Sequence, residues 1–294
     1  MPHSEPGLGK MSMPTTAAGA GIACQYTPGS AQIGKLKAEF LQGGKGAPLL
    51  YLHGLSRPLG WDTDHIGLAL HRSVYAPVLP GWRAGRLPPE ITSVQDYARL
   101  MLAFMEVENI GKSDLVGHSF GGWIALQMAL LAPERIERLV LVDSMGLDPA
   151  NFPAVDISRM DDAALYDAAF ASRGVLVVAG DFGGVPLDLR GGALFKHVLN
   201  GQRNLTALTG GTCGEESMLS TLKDVSVDTL IVWGEEDRLT PVEHAHLFGS
   251  HIRRSRVAII EGAGHFPQKE KPQTFLQVVC NFLTGRNEPV QGTH

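Results

Sequence analysis

Six short, almost wholly apolar runs recur along the chain, and most are followed by residues spaced as on a helix. They are PLLYLH (48–53), SVYAPVL (73–79), SDLVG (113–117), RLVLVD (138–143), TLIVW (229–233) and RVAII (256–260). A strand with one wet face alternates apolar and polar residues, whereas a run that is apolar throughout needs cover on both faces. Such runs, interleaved with helices, predict an α/β chain with a mostly parallel, doubly wound sheet between two helical layers. KLKAEFL (35–41) alternates instead and reads as an edge strand. Helices are expected over 93–107, with Ser93 as cap and Asp96 three positions on, over 120–131 before Ala132-Pro133, over 242–248 after Pro241, and over 272–283.

The alternation breaks after Asp143 and returns at Thr229. Between them, residues 146–223 carry helical pieces and glycine-rich joints at Gly180, Gly183-Gly184, Gly191-Gly192 and Gly210-Gly211. The expected organisation is one α/β core made of 22–145 and 224–294, interrupted by an inserted, mainly helical cap over 146–223. Residues 1–21 are rich in Gly, Pro, Ser and Thr and read as a flexible arm without the apolar centre of a secretory signal.

Composition removes several function classes. At 294 residues and 44% hydrophobic content the chain can bury a continuous core. Its most apolar helical stretch, Trp123 to Ala132, is about half the roughly twenty residues a membrane span needs. The net charge is −5 and the basic residues are scattered, so neither a nucleic-acid partner nor a membrane is expected. The cysteines, Cys24, Cys213 and Cys280, are far apart and odd in number, which suits reduced thiols and a cytoplasmic setting. No HExxH, Walker or GxGxxG segment occurs, and GTCGEE around Cys213 is no ligand cluster, so no metal or cofactor is expected.

Chemistry enters at LVGHSFGGW (115–123), where Gly117-His118-Ser119-Phe120-Gly121 fits G-x-S-x-G. In a chain with 35 glycines this match alone is a modest signal. Its place between a strand and a helix strengthens it. A serine on so sharp a turn takes a strained backbone, small neighbours two residues away let strand and helix pass closely, and the hydroxyl emerges above the sheet. A serine hydroxyl is a weak nucleophile and needs a base held by a third group. His265, in GAGHFP (262–267) after a strand, is the candidate base. His53 ends a strand too, in an HG pair with another use, His118 is expected to turn away from Ser119, and His244, His246 and His251 read as solvated. Asp237, in WGEEDRLTP (233–241), is the candidate acid. Asp143 is the alternative, because RLVLVD ends at the same sheet edge; Glu235 and Glu236 are expected to face water.

The chain resembles the α/β-hydrolase superfamily, cap-bearing serine hydrolase branch. The likeness rests on LHGLS (52–56), GHSFGG (117–122), WGEEDRLTP (233–241) and GAGHFPQKEKPQTF (262–275), collinear over about residues 35–284. It implies Ser119 as nucleophile, His265 as general base, Asp237 as the group orienting the imidazole, and an oxyanion hole from the backbone N–H of Leu55 and Phe120. Pro80-Gly81 and LPPE (87–90) resemble the loop at the pocket rim, or form a surface turn. Haloalkane dehalogenases and epoxide hydrolases have Asp as nucleophile, unlike this chain. Carbon–carbon bond hydrolases of aromatic ring cleavage carry Asn before the serine and a glycine-rich tail after HG, where this chain has His118 and Leu55-Ser56-Arg57-Pro58. The expected reaction is hydrolysis of a carboxylic ester, thioester or lactone through an acyl-enzyme. Lyase, cofactor-free oxygenase or cyclase chemistry and a slow-turnover receptor stay open, since a fold does not fix a reaction. Val175, Leu176, Val177, Val178, Phe182, Leu187, Leu194, Phe195, Val198 and Leu199 of the cap either favour an apolar or aromatic acyl substrate or bury against the core.

Overall fold

The computed structural model describes residues 25–55, 60–82, 86–157, 160–172, 193–215 and 217–286. The arm over 1–21, Ser56, Arg57 and Pro58, and the cap residues between 173 and 192 lie outside them. Leu194, Phe195, Val198 and Leu199 fall where only the backbone of a helix is described.

The sheet has eight strands among the described residues: β1 (Tyr26–Ile33), β2 (Leu36–Gly43), β3 (Pro48–Leu52), β4 (Ser73–Pro77), β5 (Ser113–His118), β6 (Ile136–Val142), β7 (Asp228–Gly234) and β8 (Ser255–Ile260). Their order is β1-β2-β4-β3-β5-β6-β7-β8. β2 is antiparallel to both β1 and β4, and every pairing from β4 through β8 is parallel. Successive residues of a strand point to opposite faces, and here both faces are covered. Leu50, Leu115, Leu139 and Ile231 belong to one buried cluster, with Phe104, Ile124 and Phe248 from α2 (Val94–Val107), α3 (Phe120–Leu131) and α7 (Glu243–His251). Leu49, Val116, Val140 and Val232 belong to the other, with Leu68 of α1 (Thr63–Ala69) and Phe275 and Val279 of α9 (Pro272–Thr284). Full burial of each such side chain contributes about 1.5–3 kcal/mol, so the two layers explain why the runs carry no polar alternation.

Several local expectations shift. KLKAEFL is not at the edge: β2 pairs on both sides, and β1 is the outer strand. YTPGSAQI hid that strand because Pro28 and Gly29 are poor strand residues, yet an edge tolerates a residue with no N–H to donate. β4 stops at Pro77, two residues short of the apolar run. α1 lacked an apolar stripe long enough to read.

Two features of topology position a site. The chain goes from β3 out to β4, then crosses back to lay β5 on the other side of β3. Loops leaving the carboxyl ends of β3 and β5 therefore diverge and leave a crevice between them. Secondly, the chain leaves the sheet between β6 and β7 to form α4 (Asp162–Ala169), α5 (Ala193–Thr209) and α6 (Met218–Thr221).

Candidate active site

Ser119 sits between β5 and α3 with φ 54° and ψ −117°, a backbone posture that costs a non-glycine residue about 1–3 kcal/mol. The turn is held by main-chain bonds on both sides: Ser119 N–H donates to the Val142 carbonyl at 2.9 Å, and Met145 N–H donates to the Ser119 carbonyl at 3.0 Å. The flanking glycines are sites of close approach. A Cβ on Gly121 would lie 2.2 Å from the Leu52 carbonyl oxygen, and one on Gly117 would lie 2.5 Å from that of Gly121. The motif's small residues thus let α3 cross directly over the ends of β3 and β5.

His265 and Asp237 arrive from the ends of β8 and β7 at the same edge. His265 Nε2 is 2.9 Å from Ser119 Oγ, and its Nδ1 is 2.8 Å from Asp237 Oδ2. A carboxylate only accepts, so the network assigns the ring proton to Nδ1 and leaves Nε2 to accept from the serine hydroxyl. All three residues are at least 95% buried. The loop DRLT explains how Asp237 is aimed. Its Oδ1 accepts from the N–H of Leu239 (2.8 Å) and Thr240 (3.1 Å), an Asx-type turn, and its Oδ2 accepts from the Thr240 hydroxyl at 2.6 Å. Burial works against the charge on Asp237, but His265, the Thr240 hydroxyl and the Leu239 N–H outweigh it and hold the carboxyl below the ordinary range. Glu235 is exposed and Glu236 half-buried.

Asp143, the alternative acid, does reach the same cluster: its carboxylate, that of Asp237 and a ring nitrogen of His265 lie within 4.8 Å of one another. Its environment differs, however. Burial and the neighbouring Asp237 push its pKa well above the usual carboxylate value against one compensating donor, the Gly234 N–H at 2.9 Å. Two carboxyls so close do not both ionise, and the hydrogen-bond donors gather on Asp237. The charge therefore resides there.

Three other histidines of the described residues take structural parts. His118 Nε2–H donates to the His265 carbonyl at 2.7 Å and its ring packs 5.1 Å from the His265 ring. Burial, followed by the charge of His265, brings its pKa down to about 3. His53 Nε2 accepts from Leu79 N–H at 3.0 Å while Nδ1–H donates to the Gly54 carbonyl, which ties the loop after β3 to the one after β4. His244 is a correction: it is buried, and its Nε2–H donates to the Phe152 carbonyl at 2.7 Å. The helical spacing of α7 did not reveal that this face meets the chain between β6 and β7.

The loop carrying Leu55 passes close to the serine, since a Cβ on Gly54 would lie 3.0 Å from Ser119 Cβ. The Leu55 carbonyl accepts from Trp82 Nε1 at 3.1 Å. The N–H groups of Leu55 and Phe120 have no acceptor among the described residues. Beside the loop, Asp62, Asp64 and His65 form a second group of potential metal ligands. Lys269 already occupies it, its ammonium donating to Asp64 and, at 2.8 Å, to Asp62. Attraction to both carboxylates outweighs burial and raises the pKa of Lys269. No helix of the described residues is long and apolar enough to cross a membrane.

Comparison with known proteins accords with this architecture. The model of the Alpha/beta hydrolase family matches residues 49–278. The 2-hydroxymuconate semialdehyde hydrolase of Pseudomonas sp. (strain CF600) is 26% identical, over 84% of this chain and 90% of its own length. A serine hydrolase involved in carbazole degradation is 26% identical, with a TM-score of 0.69 over 89% of this chain and all of that one. A putative lipase from Acinetobacter baumannii AYE shares the fold at 24% identity, with a TM-score of 0.70 over 88% of this chain and 91% of its own.

Proposed function

Since the chain belongs to the alpha/beta hydrolase family, we propose that it is a serine hydrolase of carboxylic esters, thioesters or lactones, with Ser119, His265 and Asp237 as its triad. The observation that carries this reading is the continuous path from Ser119 Oγ to His265 Nε2 at 2.9 Å and from Nδ1 to Asp237 Oδ2 at 2.8 Å.

The steps follow from the atoms. His265 Nε2 takes the hydroxyl proton as Ser119 Oγ attacks the substrate carbonyl, and the carbonyl oxygen becomes an oxyanion. The N–H groups of Leu55 and Phe120 stabilise that charge; a donor of this kind is worth ~10²–10³ in rate. The imidazolium, steadied by the Asp237 carboxylate, returns its proton to the departing alcohol or thiol. Water, deprotonated by the same nitrogen, then releases the acyl group. Residues 146–223 act as the cap over this centre, and the substrate is a small molecule with an apolar or aromatic acyl part.

A second reading is hydrolysis of a carbon–carbon bond, favoured by the likeness to 2-hydroxymuconate semialdehyde hydrolase. His118, where such hydrolases carry asparagine, weighs against it.

One experiment separates the two. Separate portions of the wild type and of Ser119→Ala are treated with a fluorophosphonate to test labelling, or given, without the probe, p-nitrophenyl esters of increasing chain length and, in parallel, 2-hydroxymuconate semialdehyde. Labelling at Ser119 with ester turnover that falls at least ~10⁴-fold in Ser119→Ala is the expected result. Turnover of the semialdehyde at far higher kcat/KM than any ester would replace the first reading with the second. Absence of labelling, with every substrate untouched, would remove both.

A further inference from the structure

The motif GHFPQKEKP contains an acidic residue that the triad chemistry does not use. Glu270 ends α8 (Pro267–Glu270), five residues after His265, and is half-buried. Its Oε1 accepts from the N–H of Gly264 at 2.9 Å, within the histidine loop. Its Oε2 accepts from the N–H of Ala171 at 3.0 Å, beyond the end of α4 in the chain between β6 and β7. One carboxylate thus bridges two backbones that are 93 positions apart by number (264 − 171), one of them next to His265.

The contact continues along a short strip of main chain. The Ala169 carbonyl accepts from His265 N–H at 2.8 Å, and the Ala168 carbonyl accepts from Arg238 N–H at 3.2 Å, one residue after Asp237. The Phe170 ring stacks on that of Phe266 at 5.1 Å. Residues 168–171 therefore touch the loop of the base and the loop of the acid at once. The approach leaves no room at the seam, because a Cβ on Gly264 would lie 2.7 Å from the Ala169 oxygen and 2.8 Å from the Ala171 nitrogen. A neutral side chain could not serve both donors equally well, since an amide offers one acceptor oxygen and would set its own N–H groups against the other backbone N–H. Burial raises the pKa of Glu270, while the N–H groups of Ala171, Gly264 and Phe266 favour its ionised form.

We propose that Glu270 is a positioning residue whose carboxylate clasps the His265 loop to the strip 168–171, so that seating of the inserted segment sets the place of the imidazole beside Ser119. The inference rests on the triad reading above. Misplacement of a reacting group by about 1 Å can cost ~100-fold in rate, so the clasp has kinetic leverage although it touches no substrate.

Glu270→Gln and Gly264→Ala attack the clasp from its two sides, one by removing the second acceptor and one by wedging the seam apart. The probe is the second-order rate of Ser119 labelling by a fluorophosphonate, normalised to folded protein by circular dichroism. The downfield proton resonance of His265 Nδ1–H is recorded alongside. Labelling slowed about 10-fold or more, with that resonance broadened or displaced, is the expected result in both variants. A fall in melting temperature with unchanged labelling per folded molecule and an unmoved resonance would overturn the proposal and leave Glu270 a stabilising residue only. Should one variant not fold, the other decides alone. If the wild type itself resists labelling, the hydrolase reading fails, and the resonance still tests whether Glu270 governs the imidazole.

Discussion

At Asp143 and Asp237, residue type and strand position say the same thing while electrostatics says different things. Both carboxyls follow parallel strands at one edge of the sheet, so their spacing in the chain could not rank them. The ranking comes from hydrogen-bond donors: three reach Asp237, from Leu239 N–H, Thr240 N–H and the Thr240 hydroxyl, in addition to His265. Asp143 has the Gly234 N–H and a charged neighbour. A protonated Asp143 resembles an asparagine more than an aspartate, which makes the two substitutions unequal. Asp143→Asn is expected to keep kcat/KM for an ester within about tenfold. Asp237→Asn, which presents an amide to the ring and upsets its tautomer, is expected to lower it ~10⁴-fold. Steady-state kinetics on the two variants read the difference directly, and a larger loss in Asp143→Asn would reverse the assignment. Thr240 and His118 were harder to see beforehand because each acts through a neighbour. The only sequence trace of either is its place inside a motif, DRLT for one and GHSFG for the other.

Elements were legible in proportion to how strongly burial wrote itself into their composition. α3 is almost wholly buried, and its limits at Phe120 and Leu131 follow from its apolar run together with the serine turn before it and Ala132-Pro133 after it. α2 shows its cap at Ser93, whose hydroxyl accepts from Asp96 N–H. β1 left no such trace, because an outer strand paired on one side can be built from Pro28, Gly29 and Ser30. Nor did the pairing of α1 with α8, which depends on charges rather than on a stripe: Lys269 of α8 meets Asp64 of α1 and its cap Asp62, and Tyr51 donates its hydroxyl proton to Asp64 at 2.6 Å. Asp64 has no exposed surface, so removing its counter-ion strands a buried carboxylate. Lys269→Met is expected to destabilise the fold by about 3–5 kcal/mol, and adding Asp64→Asn to recover a substantial part of that loss. Urea unfolding of the single and double variants measures both; a double variant as unstable as the sum of two single losses would mean the ion pair is not what joins these helices.

For the molecule as a whole, the buried histidine behind the site makes stability depend on pH in a definite direction. His118 has a folded pKa of about 3 and an ordinary unfolded value near 6.5. Between those values the unfolded chain binds a proton that the folded chain refuses, so stability present above pH ~6.5 is lost as pH falls toward 3. The slope approaches ~1.4 kcal/mol per pH unit for one such group. Asp237, whose folded pKa is depressed, adds loss of the same sign below pH ~4, whereas Asp143, with its raised value, contributes the opposite sign above pH ~4, where the unfolded carboxyl ionises and the folded one keeps its proton. His118→Gln, which retains a donor for the His265 carbonyl, is expected to flatten the dependence between pH 6.5 and 4.5 in denaturant titrations. An unchanged slope would assign the acid sensitivity elsewhere.

β6 and β7 are direct neighbours, paired from Arg138–Asp228 to Val142–Val232, although residues 143–227 intervene in the chain. Within that excursion Gly146 and Gly214 are bridged side by side, Gly146 N–H donating to the Cys213 carbonyl at 2.8 Å and the Gly146 carbonyl accepting from Glu215 N–H at 3.2 Å, so the length of chain between them is decoupled from the alignment of the strands. A protein engineer could transplant a foreign segment between these two glycines and keep the underlying platform. The donor would have to carry a four-residue backbone ribbon shaped like 168–171 and a carbonyl for His244 such as that of Phe152, the sockets by which a graft plugs into the platform.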